Sequence, residues 1–127
     1  MLNDQDLLDL ARAAAAHAYV PYSHFPVGAA LECADGTVFT GCNVENAAYG
    51  DTICAERCAV VKAVSEGRVD FAHIAIWGNA QDCCWPCGSC RQVLSEFNKR
   101  ITVTIGRGDG AFVTMPLTEL LPHTFDF

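Results

Sequence analysis

The segments Cys54-Ala55-Glu56-Arg57-Cys58 and Pro86-Cys87-Gly88-Ser89-Cys90 decide how this chain is read. Proline is favoured in the first turn of a helix, where its missing N–H costs nothing, so Pro86 is expected to open a helix running to about Phe97. Cysteines three apart in that turn are neighbours and can share one ion. The positive end of the helix dipole also favours thiolate over thiol. By itself the Cys87–Cys90 pair is compatible with a structural zinc clip, a redox dithiol or a catalytic metal. Cys54 narrows the choice. It stands immediately before a helix expected over Ala55–Ser65 and draws on the same dipole. Cys54, Cys87 and Cys90 therefore offer three sulfurs from the starts of two helices. Three protein ligands with an open fourth position mark a catalytic zinc, and four mark a structural one.

Glu56 indicates what the open position is for. Residues i and i+2 face different sides of a regular helix. Cys54 and Glu56 can approach one ion only if it lies beyond the helix entrance, toward which first-turn side chains tilt. There the carboxylate need not bind the metal; it can take a proton from water and deliver it to a substrate nitrogen. For an isolated Glu56 the plainer reading is a first-turn acid complementing the dipole. Beside three matched cysteines the catalytic reading takes precedence. Arg57 is either a surface cation or a donor to the sulfurs, where it would offset the negative charge of three thiolates on one Zn²⁺.

Working outward, Asp4–Ala18 reads as an amphipathic helix with Leu7, Leu8 and Leu10 among its apolar positions. Val27–Cys33 and Val38–Cys42 read as strands joined at Asp35-Gly36, a hairpin signal. A loop rich in Asn, Ala and Gly follows, from Asn43 to Ile53. Gly67 stops the helix that begins at Ala55. Phe71–Trp77 is an apolar run expected to be a buried strand, Ile101–Ile105 and Ala111–Met115 are further strands, and Leu117–Leu121 is a short helix. Alternating strands and helices over residues 1–127 imply one α/β domain: a three-layer α/β/α sandwich around a mixed sheet of about five strands.

Composition excludes several classes of partner. The 127 residues carry a net charge of −7 and only eight Lys and Arg, without a basic run, so a polyanionic nucleic acid is not expected. No apolar stretch approaches the roughly 20 residues that a membrane span needs. Ala11–Ala18 lacks the basic start and cleavage site of a signal peptide, and a cytoplasmic location is expected. In that reducing compartment the eight cysteines are read as metal ligands, catalytic thiols or small buried residues rather than disulfides. An apolar fraction of 51% is high for a soluble domain, and a subunit interface would absorb the excess.

Cys54-Ala55-Glu56-Arg57 followed by Pro86-Cys87-Gly88-Ser89-Cys90-Arg91-Gln92 resembles the small homotetrameric zinc cytidine deaminases. The likeness extends in order through Phe25-Pro26-Val27-Gly28-Ala29-Ala30-Leu31, Gly41-Cys42-Asn43-Val44-Glu45-Asn46-Ala47, Lys62-Ala63-Val64-Ser65-Glu66-Gly67 and Glu119-Leu120-Leu121-Pro122. It implies hydrolytic deamination of cytidine and 2′-deoxycytidine to uridine and 2′-deoxyuridine, with release of ammonia, in pyrimidine salvage. A zinc-activated water would attack C4, with one Zn²⁺ per subunit held by Cys54, Cys87 and Cys90 and with Glu56 as the proton shuttle. Asn43 and Glu45 would bond the ribose hydroxyls, Phe25 would pack on the substrate, and the backbone near Ala55 would meet the polar edge of the pyrimidine. Phe125 and Tyr49 match positions that reach the site from a neighbouring subunit, so a homotetramer with shared sites is implied. The residue types agree: Asn and Glu supply donors and acceptors to hydroxyls, and aromatic rings cover flat bases. A turn-forming Asn43 and packing roles for Phe25 and Phe125 are the plainer alternatives.

Asp82-Cys83-Cys84-Trp85 departs from that family, in which a small residue, often Ser, commonly precedes the Pro-Cys. Trp85 either narrows the pocket or points into an interface. Cys84 could in principle close a four-sulfur structural site, although Pro86 separates it from the helix that carries Cys87. Cys33, Cys42, Cys58 and Cys83 read as buried small residues, and His17, His24, His73 and His123 show no ligand spacing. The competing readings are a blasticidin-type deaminase of a modified cytosine nucleoside, a polynucleotide deaminase, a non-catalytic zinc protein and a thiol redox protein. The polynucleotide enzyme would need a basic channel that this chain lacks. The redox protein would leave Cys54 and Glu56 idle.

Overall fold

The computed structural model describes residues 1–127. Val27–Cys33 (β1) and Phe71–Gly78 (β3) are nearly continuous apolar runs because both their faces are covered. They pair antiparallel at the centre of the sheet. Val38–Cys42 (β2) folds back on β1 through the Asp35-Gly36 turn, where Gly36 takes a φ of 90° and Asp35 Oδ1 accepts the Thr37 N–H at 3.0 Å. Thr102–Gly106 (β4) lies parallel to β3, and Phe112–Pro116 (β5) pairs antiparallel to β4. The resulting mixed five-stranded sheet runs β2-β1-β3-β4-β5.

Helices cover both faces, as three layers require. Asp4–Ala15 (α1) is capped by Asn3, whose Oδ1 accepts the Asp6 N–H, and it packs Leu7, Leu8 and Ala11 on Ala30 and Ala75. Ala55–Ser65 (α2) and Gly88–Phe97 (α3) take the opposite face. There Ala59, Val60, Ala63 and Leu94 meet Ala29, Leu31, Ile74, Ile76, Val103 and Ile105. Leu117–Leu120 (α4) seals one end of this core with Leu117.

Two elements differ by more than one residue from their sequence reading. α1 ends at Ala15 rather than Ala18. Its last turn tightens, with His17 and Ala18 donating to the carbonyls of Ala14 and Ala15, and Tyr19 N–H then bonds Asn43 O to draw the chain to the sheet edge. α3 begins at Gly88 rather than Pro86, because Cys87 is extended (φ −66°, ψ 165°) and its sulfur accepts the Cys90 N–H. Cys87 therefore serves as the N-cap, and Pro86 lies just outside the helix.

The helices press backbone directly on the sheet at two glycines, one on each face. A Cβ at Gly28 would lie 1.8 Å from Ala11 O of α1, and a Cβ at Gly41 would lie 2.5 Å from Ala59 N of α2. Gly28→Ala must therefore push α1 outward. A loss of about 1–3 kcal/mol or more is expected, read as a lower urea midpoint at unchanged slope. A midpoint equal to that of the parent would show that α1 does not sit this close.

Candidate metal centre and active site

Both sulfur-bearing helix entrances face the same point. Cys54 is the N-cap of α2 (φ −71°, ψ 154°), and its sulfur makes no capping bond. Cys87 caps α3, and Cys90 stands in that helix's first turn, fully buried. The Sγ atoms of Cys54 and Cys87 are 3.9 Å apart, those of Cys87 and Cys90 are 3.4 Å apart, and all three lie within 4.8 Å of one another. Zn–S bonds of about 2.3 Å at tetrahedral angles need sulfurs about 3.8 Å apart, so the trio fits a zinc ion. It is no disulfide, since all eight cysteines are free. Cys84 and Cys58 stay outside the cluster, which ends at three residues.

The trio already shares charge as a ligand set would. Cys54 is drawn down to about 5, first by hydrogen bonding from the Cys90 thiol and, among the further favourable contributions, by Arg57 and Cys87. Cys90, the donor to Cys54, is pushed up from the ordinary thiol range, with burial adding to the effect. One thiolate is thus stabilised by a retained proton nearby, and a divalent cation would displace the remaining protons. The Arg57 guanidinium donates to Cys54 Sγ at 3.5 Å and to Thr52 O at 3.4 Å. It sits where it can offset accumulated negative charge.

Glu56 is 5% exposed, inside the first turn of α2. Burial, followed by the Cys54 charge among the contributions that add to it, pushes its carboxyl above the usual range. An acid held toward neutrality beside a ligand cluster can both accept and return a proton.

A cavity of about 180 Å³ opens over this centre. Cys54, Ala55 and Glu56 form its α2 side, Cys84, Trp85 and Cys87 the side facing the loop before α3, and Val27, Asn43 and Thr52 the remainder. Asn43 follows β2 and clamps the start of β1: Oδ1 accepts the Val27 N–H at 2.9 Å, and Nδ2 donates to Phe25 O at 3.0 Å. Glu45 lies outside the cavity lining. Its Oε1 accepts the N–H groups of Tyr22 and Ser23 at 3.0 and 3.1 Å. Hydrogen bonding from the Ser23 side chain, then from the Ser23 and Tyr22 amides, holds its pKa low. Phe25 does not line the cavity of the single chain; it packs over Gly78, where a Cβ would lie 2.9 Å from its ring tip and 3.0 Å from the sulfur of Cys84. Tyr49 and Phe125, 76% and 71% exposed, do not line the cavity of the single chain. Tyr49 stacks edge-on against Tyr22 at 6.3 Å, and Phe125 O accepts from Gln92 Nε2 at 3.1 Å.

Thr52 escaped the reading of the sequence. The bridges Val44–Ile53 and Tyr19–Val44 fold the Asn43–Ile53 loop back on itself and bring Thr52 to the cavity, a long-range pairing with no local signal. Among the other cysteines, Cys33 is buried as expected, whereas Cys42, Cys58 and Cys83 are only partly so.

The profile of the cytidine and deoxycytidylate deaminase zinc-binding region matches residues 1–105. A cytidine deaminase of Sporosarcina psychrophila is 44% identical over 122 residues, covering 95% of this chain and 90% of its own. One of Halalkalibacterium halodurans is 50% identical over 109 residues, covering 85% and 83%. The crystal structure of a cytidine deaminase from Burkholderia pseudomallei superposes with a TM-score of 0.94 at 42% identity, covering 98% of this chain and all of that one.

The charge distribution in the sulfur trio can be measured directly. After the metal is stripped with a chelator, Cys54 is expected to react with iodoacetamide at a nearly constant rate from about pH 6 to about pH 8, being ionised throughout. Cys42, whose pKa burial raises, is expected to react faster with each step up in pH. Site-resolved mass spectrometry checks both, and a Cys54 rate climbing steeply across that window contradicts the shared-proton arrangement.

Proposed function

The chain belongs to the cytidine and deoxycytidylate deaminase family, and we propose that it hydrolyses cytidine and 2′-deoxycytidine to uridine and 2′-deoxyuridine, releasing ammonia. The observation that carries this reading is a three-sulfur cluster without a fourth protein ligand, with the buried acid Glu56 beside it in a cavity. A structural zinc protein would close the cluster with a fourth side chain.

Cys54, Cys87 and Cys90 hold the zinc. When bound, it supplies the positive charge that makes water a competent nucleophile near neutral pH. Glu56 takes the proton of the attacking water as the oxygen adds to C4 of the pyrimidine. The same carboxyl delivers that proton to N3, whose double bond to C4 opens in the addition, and then carries the remaining hydroxyl proton to N4; the C4–N4 bond breaks, C4=O forms, and ammonia departs. The raised pKa of Glu56 suits both halves of that transfer. Arg57 steadies the charge on Cys54.

On the substrate side, the backbone at Ala55 meets the polar edge of the base, and Phe25 packs against the nucleoside. Asn43 and Glu45 bond the ribose hydroxyls. Their backbone contacts to Phe25, Val27, Tyr22 and Ser23 hold the two side chains and the substrate-facing loop in one arrangement. A cavity of about 180 Å³ is smaller than the roughly 300 Å³ at which ligand pockets begin, so one chain covers a nucleoside only in part. The exposed rings of Tyr49 and Phe125, together with exposed Tyr19, Val44 and Ile53, support a homotetramer in which neighbours complete each site. No helix is long and apolar enough to cross a membrane. Eight unpaired cysteines support a cytoplasmic setting.

Glu56→Gln is expected to retain one zinc per subunit and to lose about 10²- to 10⁴-fold in kcat, because only the proton transfer is removed. Loss of the cytidine absorbance band and metal analysis of the same preparation check both halves. Near-normal turnover in this variant removes Glu56 from the reaction. Parent activity that survives exhaustive chelation removes the metal.

A further inference from the structure

Glu56 shares the cavity with two residues that the reaction itself does not use, Cys84 and Trp85. Cys84 is seated firmly: a Cβ on Gly78 would lie 3.0 Å from its sulfur, and it packs on the main core cluster. It lies within electrostatic reach of both Glu56 and Cys54. Trp85 is held between this anchor and Pro86-Cys87, where Pro86 O accepts Arg91 Nε at 2.8 Å. Its backbone is thus tied to seated Cys84 on one side and to Cys87 on the other, and the residue lines the cavity. Trp85 does not belong to the core, being 45% exposed, and no hydrogen bond engages its indole.

If the chain deaminates cytidine, the position of N4 follows. The departing nitrogen must receive its proton from Glu56, so N4 lies at the end of the cavity that Glu56 shares with Cys84. The polar edge of the base turns to Ala55. Anything attached to N4 then projects toward the Cys84–Trp85 wall. We propose that Trp85 is the specificity-determining residue of the leaving-group side and excludes cytidines whose N4 carries an alkyl substituent. This rests on the deamination reading above. The chemistry balances as before: water adds at C4, the C4–N4 bond breaks, and N4-methylcytidine would give uridine and methylamine. What limits the reaction is room for the methyl group, not the electrons.

Trp85→Ala and the intermediate Trp85→Leu are assayed on cytidine and N4-methylcytidine in parallel. The ratio of kcat/KM for the methylated to the plain nucleoside is expected to rise about tenfold or more in Trp85→Ala, with Trp85→Leu between it and the parent, since a single methyl group in a pocket is worth about 10- to 200-fold. A merely structural role would lower both activities and leave the ratio unchanged, and an unchanged ratio overturns the proposal. Binding gives a readout that needs no turnover. The only other tryptophan, Trp77, lies on the α1 face with Arg12 5.3 Å from its ring. Uridine is expected to change the fluorescence of the parent but not of Trp85→Leu. Competitive inhibition by uridine with no fluorescence change in the parent also overturns the proposal. A parent inactive on cytidine itself, although loaded with zinc, refutes the deamination reading instead.

Discussion

The convergence of two helix entrances is the constraint on which the rest of this structure depends. α2 and α3 lie on the same face of the sheet, and their caps, Cys54 and Cys87, bring sulfurs to within 3.9 Å. Three ionisable sulfurs at such distances repel once charged. Two positive dipole ends and the Arg57 guanidinium offset that repulsion. The sheet helps set where the helices begin: Gly41 lets α2 lie directly on β2, and the segment 79–87 leads from β3 to Cys87, the cap of α3. A displacement of either helix along its axis would separate the ligands, so core packing and metal geometry are a single requirement.

The same convergence explains the burial of Glu56. A first-turn acid on a solvent-facing helix would sit in water at its ordinary pKa. Here the carboxyl is buried and desolvated next to the sulfur cluster, and residues of the loop before α3 line the same cavity. That loop also brings Cys84 and Trp85 into the cavity that Glu56 lines.

Local chemistry made much of this legible. β1, β2 and α2 begin and end where the turn signal at Asp35-Gly36, the apolar runs and the stop at Gly67 place them. Cys87 and Cys90 were legible as a pair because spacing at a helix entrance is a local property, whereas it is the fold that brings Cys54, 33 positions before Cys87, to them. The C-terminal end of α1 and the start of α3 were not legible. α1 is cut short by the pairing of Tyr19 with the Asn43–Val44 segment, and α3 starts late because Cys87 takes the cap. The bracing duties of Asn43 and Glu45, and the arrival of Thr52 at the cavity, depend on contacts between separate segments. So does the buried polar chain from His73 Nε2 to Thr104 Oγ1 at 2.7 Å and on to Thr114.

From its residues alone, this chain was committed to a zinc-type trio of thiols, an adjacent acid and alternating strands and helices. Each of these follows from side-chain chemistry and from spacing within a turn or a strand. Only the tertiary structure decided that the trio stops at three sulfurs, that Glu56 is desolvated rather than solvated, and that Cys84 and Trp85 line the cavity, with Cys84 outside the sulfur cluster. The reason is physical. Spacing along a helix sets which groups can meet within one element, whereas burial and the shape of an enclosed space are set by what a distant segment packs against.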